Sequence, residues 1–280
     1  MSFLAIFVAF FLEYRNIFSG IRSWFRHKIS DYAGFFVNRD FNTVREIRIQ
    51  FILAMLPFVA ATLFLMILPL TDLDLVYYIV NAIIFIMCVE TLSWRKQAKN
   101  TSRGRDFQMF VQTFATRFFA ATFWFIVLPS VLGTICYLTL TAMGNRLRAR
   151  SEESMVYSVV VDKMLFWINI VPYSVLTIFI AIAGDFEEVM HYILSQRGQV
   201  KVSFFYLENV LNEVAFLAIG KDKFARTRSV SYDESSGIED FRSNKNIFDP
   251  KVVDFVVALL YRSGLFFVSA IVVISLVGLF

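Results

Sequence analysis

The sequence predicts an all-α, polytopic helical membrane protein with four to six membrane helices and additional amphipathic surface helices. Three observations carry this. Hydrophobic residues make up 58% of the 280 residues and charged residues 18%, against about 45–50% and about 25% in ordinary soluble domains. Phe alone supplies 33 residues, and mean hydropathy is +0.62, more apolar surface than a soluble chain of this size buries. Several apolar stretches reach the roughly 20 residues that cross a bilayer, and none alternates polar with apolar as membrane-barrel strands do. Residues 1–280 read as a single integral membrane domain, with a basic amphipathic segment over 15–48 and amphipathic helices plus a polar mobile loop over 185–250.

The elements follow in order. Phe3–Leu12 is apolar, lacks a basic lead, and is followed by Glu13-Tyr14-Arg15 in place of a small-residue cleavage site. It reads as a retained first helix over Phe3–Tyr14, not a cleaved signal peptide. Arg15–Val37 is amphipathic. Ile17, Ile21, Trp24, Phe25, Tyr32, Phe35 and Phe36 follow the helical period, and Arg15, Arg22, Arg26 and Asp31 take the other side. Two readings stand: this helix lies in the membrane surface, or it packs on the protein's own helices. Gln50–Leu70 is a spanning segment with Pro57 and Pro69 as kink and stop. Thr71-Asp72-Leu73-Asp74 turns the chain, and Leu75–Trp94 runs back. Arg95, Lys96, Lys99, Arg103 and Arg105 follow at once. The positive-inside rule puts 95–106 in the cytoplasm, and with it 15–48.

Phe107–Met143 is apolar, broken by Arg117, Pro129 and Gly133. Either it is one long spanning helix after an amphipathic lead-in, or it is a helical hairpin turning near Pro129. The first places Arg146, Arg148 and Arg150 outside, against the positive-inside rule; the second keeps them inside. Ser154–Gly184 is a further apolar run carrying Asp162, Lys163, Asn169 and Pro172. Asp185–Ser195 and Phe204–Ile219 are amphipathic. Lys221–Asn246 is polar and aperiodic, a mobile loop. Asp249-Pro250 starts a helix, Asp as N-cap and Pro at the first position, and Val252–Phe280 is the last span.

The chemistry-bearing motifs are few. The sequence has no Gly-rich phosphate loop, no H-E-x-x-H and no C-x-x-C. His27 and His191 are the two histidines, far apart, and His191 reads as a solvated residue. No cofactor, metal or catalytic residue is expected. The net charge of +4 sits beside apolar segments, where it meets lipid headgroups and sets topology. The lipid bilayer is therefore the expected partner, and nucleic acid is not. Cys88 and Cys136 lie inside apolar stretches and read as inert thiols. Among ionisable groups at membrane depth, Glu90, Arg117 and Asp254 read as interfacial and snorkelling. Lys163 has Asp162 or a group across the bundle as its pairing options. Asp162 and Arg262 lie deeper and are candidates for a functional or bundle-locking role. Asn169-Ile170-Val171-Pro172 breaks a helix inside an apolar run: Pro172 removes a backbone bond and Asn169 offers a side-chain partner. Such a kink lines a ligand pocket or serves packing. Thr134, Thr139 and Thr141 are expected to bond back to their own helix. The candidate ligand- or partner-binding residues are Asp162, Asn169, Pro172 and Arg262.

Asp162–Glu188, with Trp167, Asn169, Val171-Pro172, Ala181-Ile182-Ala183-Gly184 and Glu187, resembles the AmpE family and, more distantly, CobD/CbiB. Asn169 stands where AmpE usually has Asp, and Ser174 where both branches usually have Arg. Ala120-Ala121-Thr122-Phe123-Trp124 is similar to the family's A-P-L-F-W without its Pro. Val253, Ala258, Arg262 and Ser263 resemble the AmpE C-terminal region. The CobD/CbiB branch joins an aminopropanol unit to a corrinoid. Three of its polar motifs, G-R-D-T, E-N-x-S-D-G and D-P-x-x-x-H-P, are missing here, and a fourth survives only as Thr139-Leu140-Thr141-Ala142-Met143. The resemblance therefore implies the non-synthase branch: a bacterial inner-membrane regulator or sensor, linked to cell-wall recycling or β-lactamase induction, acting through a membrane-protein partner or a small ligand. The alternatives are a diverged adenosylcobinamide-phosphate synthase and a structural subunit of a membrane complex. A transporter is disfavoured, since no inverted repeat is visible.

Overall fold

The computed structural model describes residues 19–37, 43–65, 74–89, 104–128, 131–150, 155–196, 202–220 and 250–277. The expected first helix Phe3–Tyr14, the basic run 95–103 and the polar segment 221–246 lie outside them. Among the described residues the structure is all α, with no strand. The elements are α1 (Ser19–Val37), α2 (Val44–Leu65), α3 (Asp74–Cys88), α4 (Gly104–Phe114), a π-helical segment (Ala115–Ala120), α5 (Ala121–Val127), α6 (Leu132–Arg150), α7 (Met155–Ala183), α8 (Phe186–Ser195), α9 (Phe204–Leu217) and α10 (Pro250–Leu276). Four stretches are long and apolar enough to cross a membrane: Val44–Phe64, Gln108–Val127, Val159–Ala183 and Asp254–Ile274. The chain forms two compact units, one built from α1, α2, α3, the chain from Thr116 to Pro172 and residues 202–205, the other from α4, α7 beyond Pro172, α8, the rest of α9 and α10.

In the first unit α6 is the hub, packing on α1, α2, α3 and α5. Helix α2 begins six residues before the apolar stretch does, because its lead-in already has a buried face. Ile47, Phe51 and Ala54 are buried at helical spacing while Arg45, Glu46 and Arg48 are exposed. Thr43 closes its start, its Oγ1 accepting the Glu46 N–H at 3.3 Å. The outward face of α2 shows Ile52, Leu56, Leu63 and Phe64, the exposure expected where lipid replaces water.

The two readings of 107–143 resolve as the hairpin. Leu128 leaves the helix in an extended conformation, and α6 returns along α5, with Thr134 Oγ1 donating to the Ala121 carbonyl at 3.0 Å. Gly133 faces the Trp124 carbonyl, where a Cβ would collide. Asn81 of α3 accepts the Val131 N–H at 3.1 Å and donates to Tyr77 O at 2.8 Å. It thus satisfies a donor that the start of α6 leaves orphaned. At the far end of α6, Arg146 donates to Ser30 Oγ at 3.0 Å and faces Asp31 at 3.6 Å. Arg146 therefore lies against the basic segment 15–48, the side on which the positive-inside rule places it.

Helix α1 departs from its expected polarity. Its apolar residues do not share one face. Tyr32 and Phe36 turn toward α2, the Tyr32 ring centroid 5.2 Å from that of Phe58 and its hydroxyl donating to Ala54 O at 3.0 Å. Trp24 and Phe35 point away, 59% and 66% exposed, whereas Arg22, expected on the outer polar side, is 2% exposed. Ala33 and Gly34 on the inward side are both buried, and the Arg146 guanidinium of α6 lies where a Cβ at Gly34 would be.

In the second unit, Asp185 caps α8. Its Oδ1 accepts the Glu188 N–H at 3.2 Å, and Glu187 and Glu188 in the first turn favour the helix dipole. The Asp185 N–H donates to Ala218 O at 2.9 Å, so the α7–α8 corner sits on the end of α9. Gly184 makes that approach feasible, because a Cβ there would strike the Ala218 carbonyl. Gly220, at φ +83°, ends the α9 turn. Phe179 of α7 meets Phe267 of α10 edge-on at 5.6 Å, and α4 also packs on α10.

Candidate functional site

The site is built on the face of α7 that carries Asp162, Leu165 and Asn169, spaced three and four residues apart and so stacked on one side. Asn169 is fully buried. Its Nδ2 donates to the Leu165 carbonyl at 2.8 Å, and its Oδ1 accepts the Tyr137 hydroxyl of α6 at 2.7 Å. Pro172, also buried, lies three residues on and carries no N–H for the Ile168 carbonyl. Asn169 thus serves Leu165 and Tyr137, not the carbonyl that Pro172 releases. Helix α7 continues through the proline to Ala183.

Two turns before Asn169, Asp162 collects three donors. Arg148 Nη2 reaches Oδ1 at 3.1 Å. The N–H groups of Phe204 and Phe205, the first two residues of α9, reach Oδ2 and Oδ1 at 3.0 and 3.3 Å. The Arg148 guanidinium also lies over the Phe204 ring, 4.8 Å from its centroid. A carboxylate at a helix start meets both orphan N–H groups and the positive end of the dipole, so Asp162 acts as the cap of a helix about forty residues away. Between the two polar contacts, Gly144 admits Leu165, whose Cδ1 would be 2.9 Å from a Cβ at 144. Arg148–Asp162, Gly144–Leu165 and Tyr137–Asn169 together register α6 against α7 in antiparallel sense.

Of the four residues expected to bind, Asp162, Asn169 and Pro172 share one stretch of α7. Arg262 belongs to α10 and is exposed. Lys163 is exposed, and the group paired with Asp162 is Arg148. Sequence reasoning missed Arg148, Gly144 and Tyr137. The spacing of 137, 144 and 148 differs from that of 162, 165 and 169, so no single-helix pattern pairs them.

The threonines divide. Thr141 bonds back to Tyr137 O at 2.8 Å and Thr134 bonds across the hairpin, whereas Thr139 and Thr122 are fully buried with no hydrogen-bond partner for Oγ1 among the described residues. Thr122 lies two residues past the π-helical segment, so the carbonyl four residues back belongs to that segment and is out of α-helical register. Among the described residues no three His, Cys, Asp or Glu side chains come together in a way that would hold a metal.

Helices of membrane-crossing length, tied to one another by buried hydrogen bonds and an ion pair, define a polytopic helical membrane protein. Comparison with protein-family models, with curated proteins and with solved structures finds no match.

Proposed function

We propose that this chain is a non-catalytic, AmpE-like regulatory or signalling protein of the bacterial inner membrane, acting through a membrane partner or a small ligand. The observation that carries the reading is the engagement of the two polar groups in the stretch most similar to the family. Asp162 is held by Arg148 and the start of α9, and Asn169 by Tyr137 and Leu165. Both groups are engaged within the chain, in helix registry and a helix cap, which supports a non-catalytic reading. Thr141, at the acidic position of the one surviving synthase-like run, is bonded to its own helix, which supports the same view.

Two measurements test it. The purified protein is expected to show no corrinoid-dependent ATP turnover, and its gene is expected not to restore growth on cobinamide to a strain lacking the synthase. Turnover or growth overturns the proposal in favour of the diverged synthase.

A further inference from the structure

The candidate span Asp254–Ile274 carries Arg262 about 12 Å from one end and about 18 Å from the other at 1.5 Å per residue. Arg262 is exposed and forms no hydrogen bond or ion pair among the described residues. Arg117, at comparable depth in Gln108–Val127, differs in being engaged within the chain. Asp254, Ala258, Arg262, Leu265, Ser269 and Val273 are all exposed. Their spacing of three and four residues draws one outward stripe along α10, while Leu260, Ser263 and Phe267 form the inward side. A guanidinium facing hydrocarbon two turns inside a span is among the least favourable arrangements in a membrane protein, and such groups are matched by a charge of opposite sign or an aqueous cavity.

We infer that this stripe is a lateral docking surface for a transmembrane helix of a different protein, one that carries a carboxylate at the depth of Arg262. Charge complementarity selects the occupant. Ala258 and Ser269, one turn before and two turns after Arg262, are small enough for close backbone approach. Within the described spans, a second copy of this chain offers no carboxylate at that depth. Copies related by rotation about the membrane normal meet in parallel, so Arg262 faces Arg262, and Asp254 lies about 12 Å away along the axis. The other carboxylates in the described spans, Glu46 and Asp162, lie within a turn of a span end, and Asp162 is already paired. The inference stands apart from the AmpE-like reading and holds whether or not that reading survives.

The test uses the full chain in bilayers, with p-benzoylphenylalanine in place of Leu265 as a photo-crosslinker. The probes are 21-residue Leu/Ala helices with a single central Asp, Leu or Lys. The Asp probe is expected to give at least about fivefold more adduct than the Leu probe. Arg262→Leu should abolish that preference, Arg262→Lys should retain it, and Arg262→Asp should transfer it to the Lys probe. Equal adducts from the Asp and Leu probes overturn the proposal. So does an adduct yield that follows anionic-lipid content and not probe charge, which assigns Arg262 to headgroups. Self-crosslinking of the chain that the Asp probe fails to displace also overturns it, and assigns the stripe to a second copy.

Discussion

Arg148 and Asp162 form a 3.1 Å ion pair that joins the end of α6 to the start of α7, and the same carboxylate holds the first N–H groups of α9. Removing the carboxylate strands a guanidinium and two backbone donors at once, whereas removing Arg148 leaves the helix cap intact. Hydrogen bonds to charged groups contribute about 1.5–3 kcal/mol, and the partial exposure of both side chains, 29% and 22%, reduces this. Asp162→Ala is therefore expected to cost about 2 kcal/mol and Arg148→Ala about 1 kcal/mol in reversible unfolding. In a double-mutant cycle the pair should couple by roughly 1 kcal/mol. Strict additivity of the two single variants would show that the pair contributes nothing.

The Tyr137–Asn169 contact is buried on both sides, so its loss is felt through the group left behind. Tyr137→Phe leaves the Asn169 carbonyl without its donor and is expected to cost about 1 kcal/mol, in the range seen for hydrogen bonds between membrane helices. Once Asn169→Leu has removed the acceptor, adding Tyr137→Phe should cost little more. A double variant much weaker than Asn169→Leu alone contradicts the assignment.

Two glycines at close helix approaches should respond differently to the same added methyl. At Gly184 the obstacle is the Ala218 backbone carbonyl, beside the Asp185–Ala218 hydrogen bond. At Gly144 it is the end of the Leu165 side chain, 2.9 Å away, which can change rotamer. Overpacking costs about 1–3 kcal/mol. Gly184→Ala is expected at the upper part of that range and Gly144→Ala at the lower. The ranking is read from the two variants' unfolding midpoints in detergent, and the reverse order refutes the backbone argument.

The hairpin of α5 and α6 fixes a topological outcome. Because Arg146 touches Ser30 and Asp31, the end of α6 and the middle of α1 share one side of the membrane. Single cysteines at His27 and Ser151, in a background without Cys88 and Cys136, should both react with an impermeant maleimide from the cytoplasmic face. Labelling of the two from opposite faces breaks the hairpin reading.

How far the sequence anticipates this structure depends on what sets each feature. Span positions follow from one-dimensional runs of apolar residues, and α2, α7 and α10 fall where those runs lie. The face of α1 does not: Trp24 and Phe35 are exposed beside His27, Lys28 and Asp31, while Arg22 is buried, so the helical period of its apolar residues does not mark its inner side. Pro129 and Gly133 carried a signal for the hairpin, and the Thr134–Ala121 and Asn81–Val131 contacts select it. Asp162 and Asn169 were legible as polar residues in an apolar run, although Asp162 lies only three residues inside the span. Their partners Arg148 and Tyr137 were not, since pairing needs the antiparallel register that Gly144 permits.

Tyr32 links α1 to α2 through a pH-sensitive contact. Burial raises its phenol above the usual value of 10.0, and the neutral hydroxyl donates to Ala54 O. A group whose folded pKa exceeds its unfolded value stabilises fully below the unfolded value and loses that contribution as pH rises through the folded one. From pH 7 to about 9, Tyr32→Phe is thus expected to cost a constant amount, about 0.5–1 kcal/mol, for one hydrogen bond. Above pH 10 the cost should shrink and then reverse, because the wild type must either bury a phenolate or open the α1–α2 contact while the Phe variant has nothing to ionise. Unfolding of both proteins measured at pH 7, 9, 10 and 11 decides this. A cost that grows with pH, or stays flat through pH 11, would mean that Tyr32 does not donate to Ala54.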